Sequence, residues 1–263
     1  MIRLSEVSHT FDGRKGSVTA LQDITLRVDK GEFVAVVGRS GCGKSTLLRV
    51  VAGLLVPTTG AVMVGGQPVD RPRPDIAMVF QRPALLPWRS VLDNVLLPVE
   101  ILRWRQDTYR SRARDLLELV GLAGFEKQLP HELSGGMQQR VALCRSLLTE
   151  PAVMLMDEPF SALDALTREE LSVELQRIHM DLGTTILLVT HSIDEAVLLA
   201  DRVVVLSERP GRVRQIIGVD IPRPRSLGRH ANFADVARIS AELHELLLPE
   251  GAQNAATSVG ARR

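Results

Sequence analysis

Aromatic residues are scarce. Phenylalanine, tryptophan and tyrosine together make up 3% of the 263 residues. That argues against a stacking platform for single-stranded nucleic acid. Neither sign of charge dominates, with 32 Lys and Arg against 31 Asp and Glu. A near-neutral chain offers no global field for a nucleic-acid partner. Only two cysteines occur, Cys42 and Cys144, too few for a disulfide framework. A reducing cytosol is the simplest setting. No apolar run approaches the roughly 18 residues of a membrane-spanning helix. Met1-Ile2-Arg3-Leu4-Ser5-Glu6 lacks a signal-peptide pattern. No internal repeat is visible. The length accommodates one or two domains with an ample core.

What is present is concentrated in one stretch, Gly38-Arg39-Ser40-Gly41-Cys42-Gly43-Lys44-Ser45-Thr46. It fits G-x-x-x-x-G-K-[ST], the phosphate-binding loop. The apolar run Phe33 to Val37 before it reads as a buried strand, and Leu47, Leu48, Val50 and Val51 follow at helical spacing. Glycines let backbone N–H groups close round a polyphosphate, and the helix N-terminus adds positive potential. Lys44 reaches the β- and γ-phosphates, and Ser45 offers its hydroxyl to Mg²⁺. Cys42 reads as a filler of this loop, with a reactive thiol as the alternative.

Along the chain, Ile2 to Val7 and Leu21 to Val28 read as strands, with a turn-rich loop over Phe11 to Gly16. Ala61 to Val64 and Ile76 to Phe80 are further strands. From Gln81 to about Gly124 the character changes, with prolines at 83, 87 and 98 and both tryptophans. Asp107 starts a helix, and arginines 103, 105, 110, 112 and 114 read as its solvated side, with a membrane-proximal face as the sharper alternative. Leu171, Leu175, Ile178 and Leu182 mark a helix on which His179 reads as a surface residue. Arg202 to Leu206 and Arg212 to Ile217 form a closing strand pair. Ile221 to His230 reads as a linker, and Phe233, Val236, Ser240, Leu243 and Leu247 share a face of a final helix.

Two further constellations carry chemistry. Asp157-Glu158 ends the apolar strand Val153 to Met156, where carboxylates are costly without a partner. A metal beside the phosphate loop gives Asp157 that partner. Glu158, the next residue of an extended chain, points to the other side and is placed to activate water. A helix cap is the plainer reading of the pair. Leu133-Ser134-Gly135-Gly136-Met137-Gln138-Gln139-Arg140 puts a hydroxyl and two glycines at a helix start, a second anion cradle or a simple capping turn.

In order, these motifs resemble the ATPase subunit of an ATP-binding cassette (ABC) transporter, and the similarity runs from Ile2 to about Ile217. Phe11 stands where the family stacks adenine on a tyrosine. Gln81 is the Q-loop, Leu133 to Gln138 the signature with Met137 where glutamine is usual, Ser161-Ala162-Leu163-Asp164 the D-loop and His191 the switch histidine. The segments Gln81 to Val95 and Pro130 to Met137 resemble the nitrate/sulfonate/taurine importer group.

The resemblance implies an α/β P-loop NTPase (RecA-like) core with an antiparallel β subdomain and an inserted α-helical subdomain. It implies an ATPase domain over residues 1–230, the helical insert about 82–150, a C-terminal helix over 231–250 and a disordered tail over 251–263. ATP and Mg²⁺ are the expected cofactors. Glu158, His191 and Lys44 are the expected catalytic groups. Phe11, the loop Gly38, Arg39, Ser40, Gly41, Cys42, Gly43, Lys44, Ser45 and Thr46, with Gln81, Ser134, Gly135 and Gly136, form the nucleotide site. Ser45, Gln81 and Asp157 are the expected metal set. One ATP is then sandwiched between the phosphate loop of one subunit and Ser134-Gly135-Gly136 of another, most simply in a homodimer. The implied partners are integral-membrane permease subunits and, indirectly, a solute-binding protein, at the cytoplasmic face of the inner membrane. Trp88 sits in the segment where a permease helix docks, in an apolar groove bounded by Arg82 and Arg89. An exporter or lipid-extraction ATPase, or a non-transport ABC protein, is the alternative.

Overall fold

The computed structural model describes residues 1–13, 16–225 and 233–248. The expected tail over 251–263 and the end of the expected linker, 226–230, lie outside the described residues. The strands are β1 (Ile2–Gly13), β2 (Gly16–Val28), β3 (Phe33–Val37), β4 (Thr59–Val64), β5 (Gln67–Pro68), β6 (Ile76–Val79), β7 (Val153–Asp157), β8 (Thr185–Val189), β9 (Arg202–Leu206) and β10 (Val213–Gly218). The helices are α1 (Lys44–Val51), α2 (Val91–Ile101), α3 (Gln106–Leu119), α4 (Gly135–Leu147), α5 (Ala165–Leu182), α6 (Ile193–Leu199) and α7 (Phe233–Leu247).

A six-stranded sheet in the order β10-β9-β3-β8-β7-β6 forms the centre, parallel throughout except for β10. Its strands β3 and β8 are buried at every residue, which is why they read as unbroken apolar runs. A fully buried valine or leucine there is worth about 1.5–3 kcal/mol. One face packs on α2 to α7, and the other on α1 and the second sheet, ordered β2-β1-β4-β5.

Two local expectations are corrected, and the proline-rich stretch proves to hold a helix. Phe11 to Gly13 is strand rather than loop, because β1 and β2 run on as a hairpin to Gly13 opposite Gly16. Register shifts between Leu4 and Thr10 break the alternation that marks a strand in sequence. Val91–Ile101 is a helix despite Pro98, begun by Ser90, whose side chain accepts the Asp93 N–H. His179 is buried rather than on the surface, edge-on to Phe33 with ring centroids 5.3 Å apart and Nδ1 3.1 Å from the Thr184 carbonyl. It lies one turn beyond Leu175, on the apolar face. Burial, and then the Arg223 charge, push its pKa down, so it packs as a neutral ring.

Candidate active site

The phosphate loop joins central strand β3 to α1, so the buried sheet aims its carboxyl end at the ligand site. Gly43 precedes α1 with φ 104°, and a Cβ there would lie 2.7 Å from the Ala20 carbonyl oxygen. Only glycine fits. A cavity of about 300 Å³ opens over the loop, lined by Phe11, Val18, Ala20, Ser40 to Thr46 apart from Cys42, Glu158 and Arg209. Phe11 is half exposed and meets His9 edge-on, centroids 4.5 Å apart, leaving its ring in the cavity wall.

Lys44 is buried, its ammonium donating to the Gly38 carbonyl at 2.8 Å and the Arg39 carbonyl at 3.3 Å. Ser45 Oγ donates to Asp157 Oδ1 at 2.9 Å, which joins the loop to the end of β7. Burial pushes the Asp157 carboxyl above its ordinary range, with the Ser45 hydrogen bond opposing and the Glu158 charge adding. A hydroxyl and a carboxylate side by side are hard oxygen donors of the kind Mg²⁺ takes. Among the described residues no group of three or more His, Cys, Asp or Glu is placed to hold a metal. Any cation here therefore needs phosphate or water oxygens to fill its shell.

Glu158 does not continue the extended chain, as its position in the sequence predicts. It sits at φ 46° and its N–H donates to the Val189 carbonyl at 2.8 Å. A left-handed non-glycine residue costs about 1–3 kcal/mol and persists where surrounding structure enforces it. The turn carries the Glu158 carboxylate to His191, with Oε2 3.2 Å from Nδ1. His191 is held in turn. Thr190 Oγ1 donates to Glu195 at 2.6 Å and accepts the Ser192 N–H at 3.0 Å, and Ser192 caps α6 through the Glu195 N–H.

Other expected site residues lie apart. Gln81 is not in the cavity wall; its amide donates to Ser161 Oγ at 3.0 Å, and that hydroxyl donates to the Glu158 carbonyl. Ser134, Gly135 and Gly136 do not line the cavity either. They start α4, with Ser134 accepting the Met137 N–H at 3.3 Å. Ser134 and Gly135 are exposed, and a Cβ at Gly135 would touch nothing. Asp164 caps α5 through the Thr167 N–H, and Arg140 donates to the Val120 carbonyl beside Glu170 and Glu174.

Cys42 turns into the core rather than toward an interface. It is 1% exposed, and burial raises its thiol pKa against the lowering effect of Lys44. Only its backbone is available to a phosphate. Arg39 pairs with Glu208 outside the cavity wall.

Three cavity residues carry no site signal in the sequence: Val18 and Ala20 of β2, and Arg209. Arg209, on the turn between β9 and β10, donates from Nε to the Gly41 carbonyl at 3.1 Å. Among the described residues it has no carboxylate within ion-pair reach, whereas Arg212 nearby pairs with Asp23. Its only sequence signal is a basic residue in a Pro-Gly turn, which many surface turns share.

A second opening, an apolar groove of about 400 Å³, is lined by Ile76, Met78, Phe80, Leu97, Pro98 and Ile101 among others. Arg145 lines it, while the expected bounding residues Arg82 and Arg89 do not, and Arg89 pairs with Glu100. Trp88 is 72% exposed and does not line the groove. Its turn is pinned by fully buried Asn94, which bonds the backbone of Leu86, Arg89 and Ser90. Among the described residues no helix is long and apolar enough to cross a membrane.

Residues 21–161 match the family described as ABC transporter. The chain is 46% identical over 222 residues to the nitrate import ATP-binding protein NrtD of Synechococcus elongatus, covering 83% of this chain and 81% of that protein. It is 46% identical over 223 residues to the taurine import ATP-binding protein TauB of Burkholderia thailandensis, covering 85% and 86%. A solved dimeric ATP-binding cassette in a post-hydrolysis state, bound to ADP and Pi, superposes with a TM-score of 0.74 at 33% identity, covering 84% of this chain and all of that one.

Proposed function

Because this chain belongs to the ABC transporter family and is an ATPase, we propose that it drives uptake of a small anion such as nitrate, sulfonate or taurine. The convergence of Lys44, Ser45, Asp157 and the Glu158–His191 pair at one mouth of the parallel sheet supports ATP hydrolysis, and the likeness to nitrate and taurine import ATP-binding proteins carries the anion reading.

Phe11 stacks the adenine. Backbone N–H groups of the loop and the α1 N-terminus neutralise the phosphates. Lys44 exchanges its two carbonyl partners for phosphate oxygens. The residues present fit Mg²⁺: Ser45, Asp157 and Gln81 would hold it, and it would neutralise charge on the phosphates. Glu158 accepts the proton of the attacking water. His191 holds Glu158 through Nδ1 and turns its other ring nitrogen toward the terminal phosphate. Arg209 adds a second side-chain cation. Arg209→Ala is expected to weaken ATP binding about tenfold, the worth of one charge-assisted hydrogen bond. A fluorescent-nucleotide titration with unchanged affinity would remove it from the site.

Ser134, Gly135 and Gly136 serve the phosphates of a second copy, in a head-to-tail homodimer. The dimer sits on permease subunits at the cytoplasmic face of the inner membrane, supplied by a solute-binding protein. The apolar groove and the exposed Trp88 face the permease. The test is co-purification with the permease and anion uptake by the reconstituted complex. Trp88→Ala is expected to weaken that association at least about fivefold, as loss of a buried aromatic anchor does, with nucleotide affinity unchanged. Equal co-purification counts against the docking role.

A further inference from the structure

We propose that Arg225, with Arg223 beside it, is a positioning residue for His191 that acts by clamping the far end of α6. Resting on the reading of His191 given above, it assigns a role to the Pro222-Arg223-Pro224-Arg225 stretch, which in sequence reads as linker.

The stretch is docked rather than free. Arg225 is 4% exposed. Its guanidinium donates to four carbonyls: Ile221 at 2.8 Å, Val197 at 2.9 Å, Ala200 at 2.6 Å and Val219 at 3.1 Å. Arg223 donates to the Leu199 carbonyl at 2.6 Å and pairs with Asp201. Val197, Leu199 and Ala200 are end-of-helix carbonyls with no partner inside α6. All three residues are buried, so water does not serve them. Two guanidinium groups at that end also complement the helix dipole.

The arrangement is costly, which is why it calls for a function. Among the described residues Arg225 has no carboxylate within ion-pair reach, and a buried cation without one is expensive. Burial, and then the neighbouring Arg223 charge, push its pKa down to about 10, so it stays charged at neutral pH. The buried carbonyls need a partner in any case; what capping alone does not explain is that Gln176 ties the same residue to α5.

The geometry connects the clamp to the chemistry. α6 spans seven residues, about 10 Å along its axis, too short to be stable alone. At its other end stands His191, whose neighbours Thr190 and Ser192 are bonded to each other and to Glu195 of the helix. Gln176 of α5 bonds both the N–H and the carbonyl of Arg225. The N-cap of α5, Asp164, lies three residues past Ser161, whose hydroxyl bonds the Glu158 carbonyl. The clamp thus ties the helix behind Glu158 to the helix behind His191 and sets their 3.2 Å contact.

The test uses the full-length chain. Arg225→Lys keeps the charge but cannot reach four carbonyls. It is expected to lower kcat about 10–100-fold, the cost of a displacement of about 1 Å, with ATP affinity within about twofold of wild type. Added to His191→Ala, it is expected to lower the residual rate no further, because the residue it positions is gone. Should Arg225→Lys unfold, Arg223→Gln carries the same measurements. A folded variant with unchanged kcat overturns the proposal. So does a parallel loss of ATP affinity, or a loss that multiplies on the His191→Ala background. Normal turnover of His191→Ala alone instead overturns the role given to His191, and is told apart by that single variant.

Discussion

Glu158→Gln is expected to bind ATP with near wild-type affinity and to hydrolyse it about 10²–10⁴-fold more slowly, the usual worth of a positioned base. The amide preserves volume and still accepts from His191 Nδ1. It cannot take a proton from water. The loop, Lys44 and Phe11 are untouched, so binding is spared. The backbone strain at φ 46° is shared by both residues, so stability is not the variable. Single-turnover hydrolysis beside equilibrium nucleotide binding separates the two effects. A near wild-type rate would mean that another group activates water.

Ser134→Arg is expected to abolish hydrolysis, by at least about 10²-fold if the donors it blocks are worth what oxyanion donors usually are. Each isolated subunit should still bind ATP. The monomer loses the Ser134 cap on α4, about 1 kcal/mol, but the arginine itself is accommodated because Ser134 and Gly135 are exposed there. What is lost is room for the partner's phosphates. Mixing gives a sharper check. Ser134→Arg subunits and Lys44→Ala subunits are each inactive alone. A heterodimer of the two contains one site with an intact phosphate loop and an intact signature, so the mixture should regain hydrolysis. No recovery, or an active Ser134→Arg homodimer, rules out the sandwich.

Legibility followed how the chemistry is encoded. The phosphate loop is built from consecutive backbone groups and one helix start, so residues 38–46 declare it. β3, β7 and β8 declare themselves as apolar runs because both faces of a parallel sheet are covered. The outer end of the β1–β2 hairpin faces water on both sides, and its residues carry no alternation to read. His179 looks like a surface residue by type, yet helical register puts it on the buried face with Leu175.

The sequence by itself determined the phosphate loop over residues 38–46 and the carboxylate pair that ends β7, because those signals are short and contiguous. Tertiary structure alone decided the rest. It turned Glu158 back onto His191, turned Cys42 into the core, and set Arg209 against Gly41 across 168 residues of chain. It also made a clamp of an apparent linker, by burying carbonyls at Val197 and Ala200 to which Arg225 donates. Such features arise where distant backbone groups lose water and must find partners. No local pattern records which distant residue supplies them.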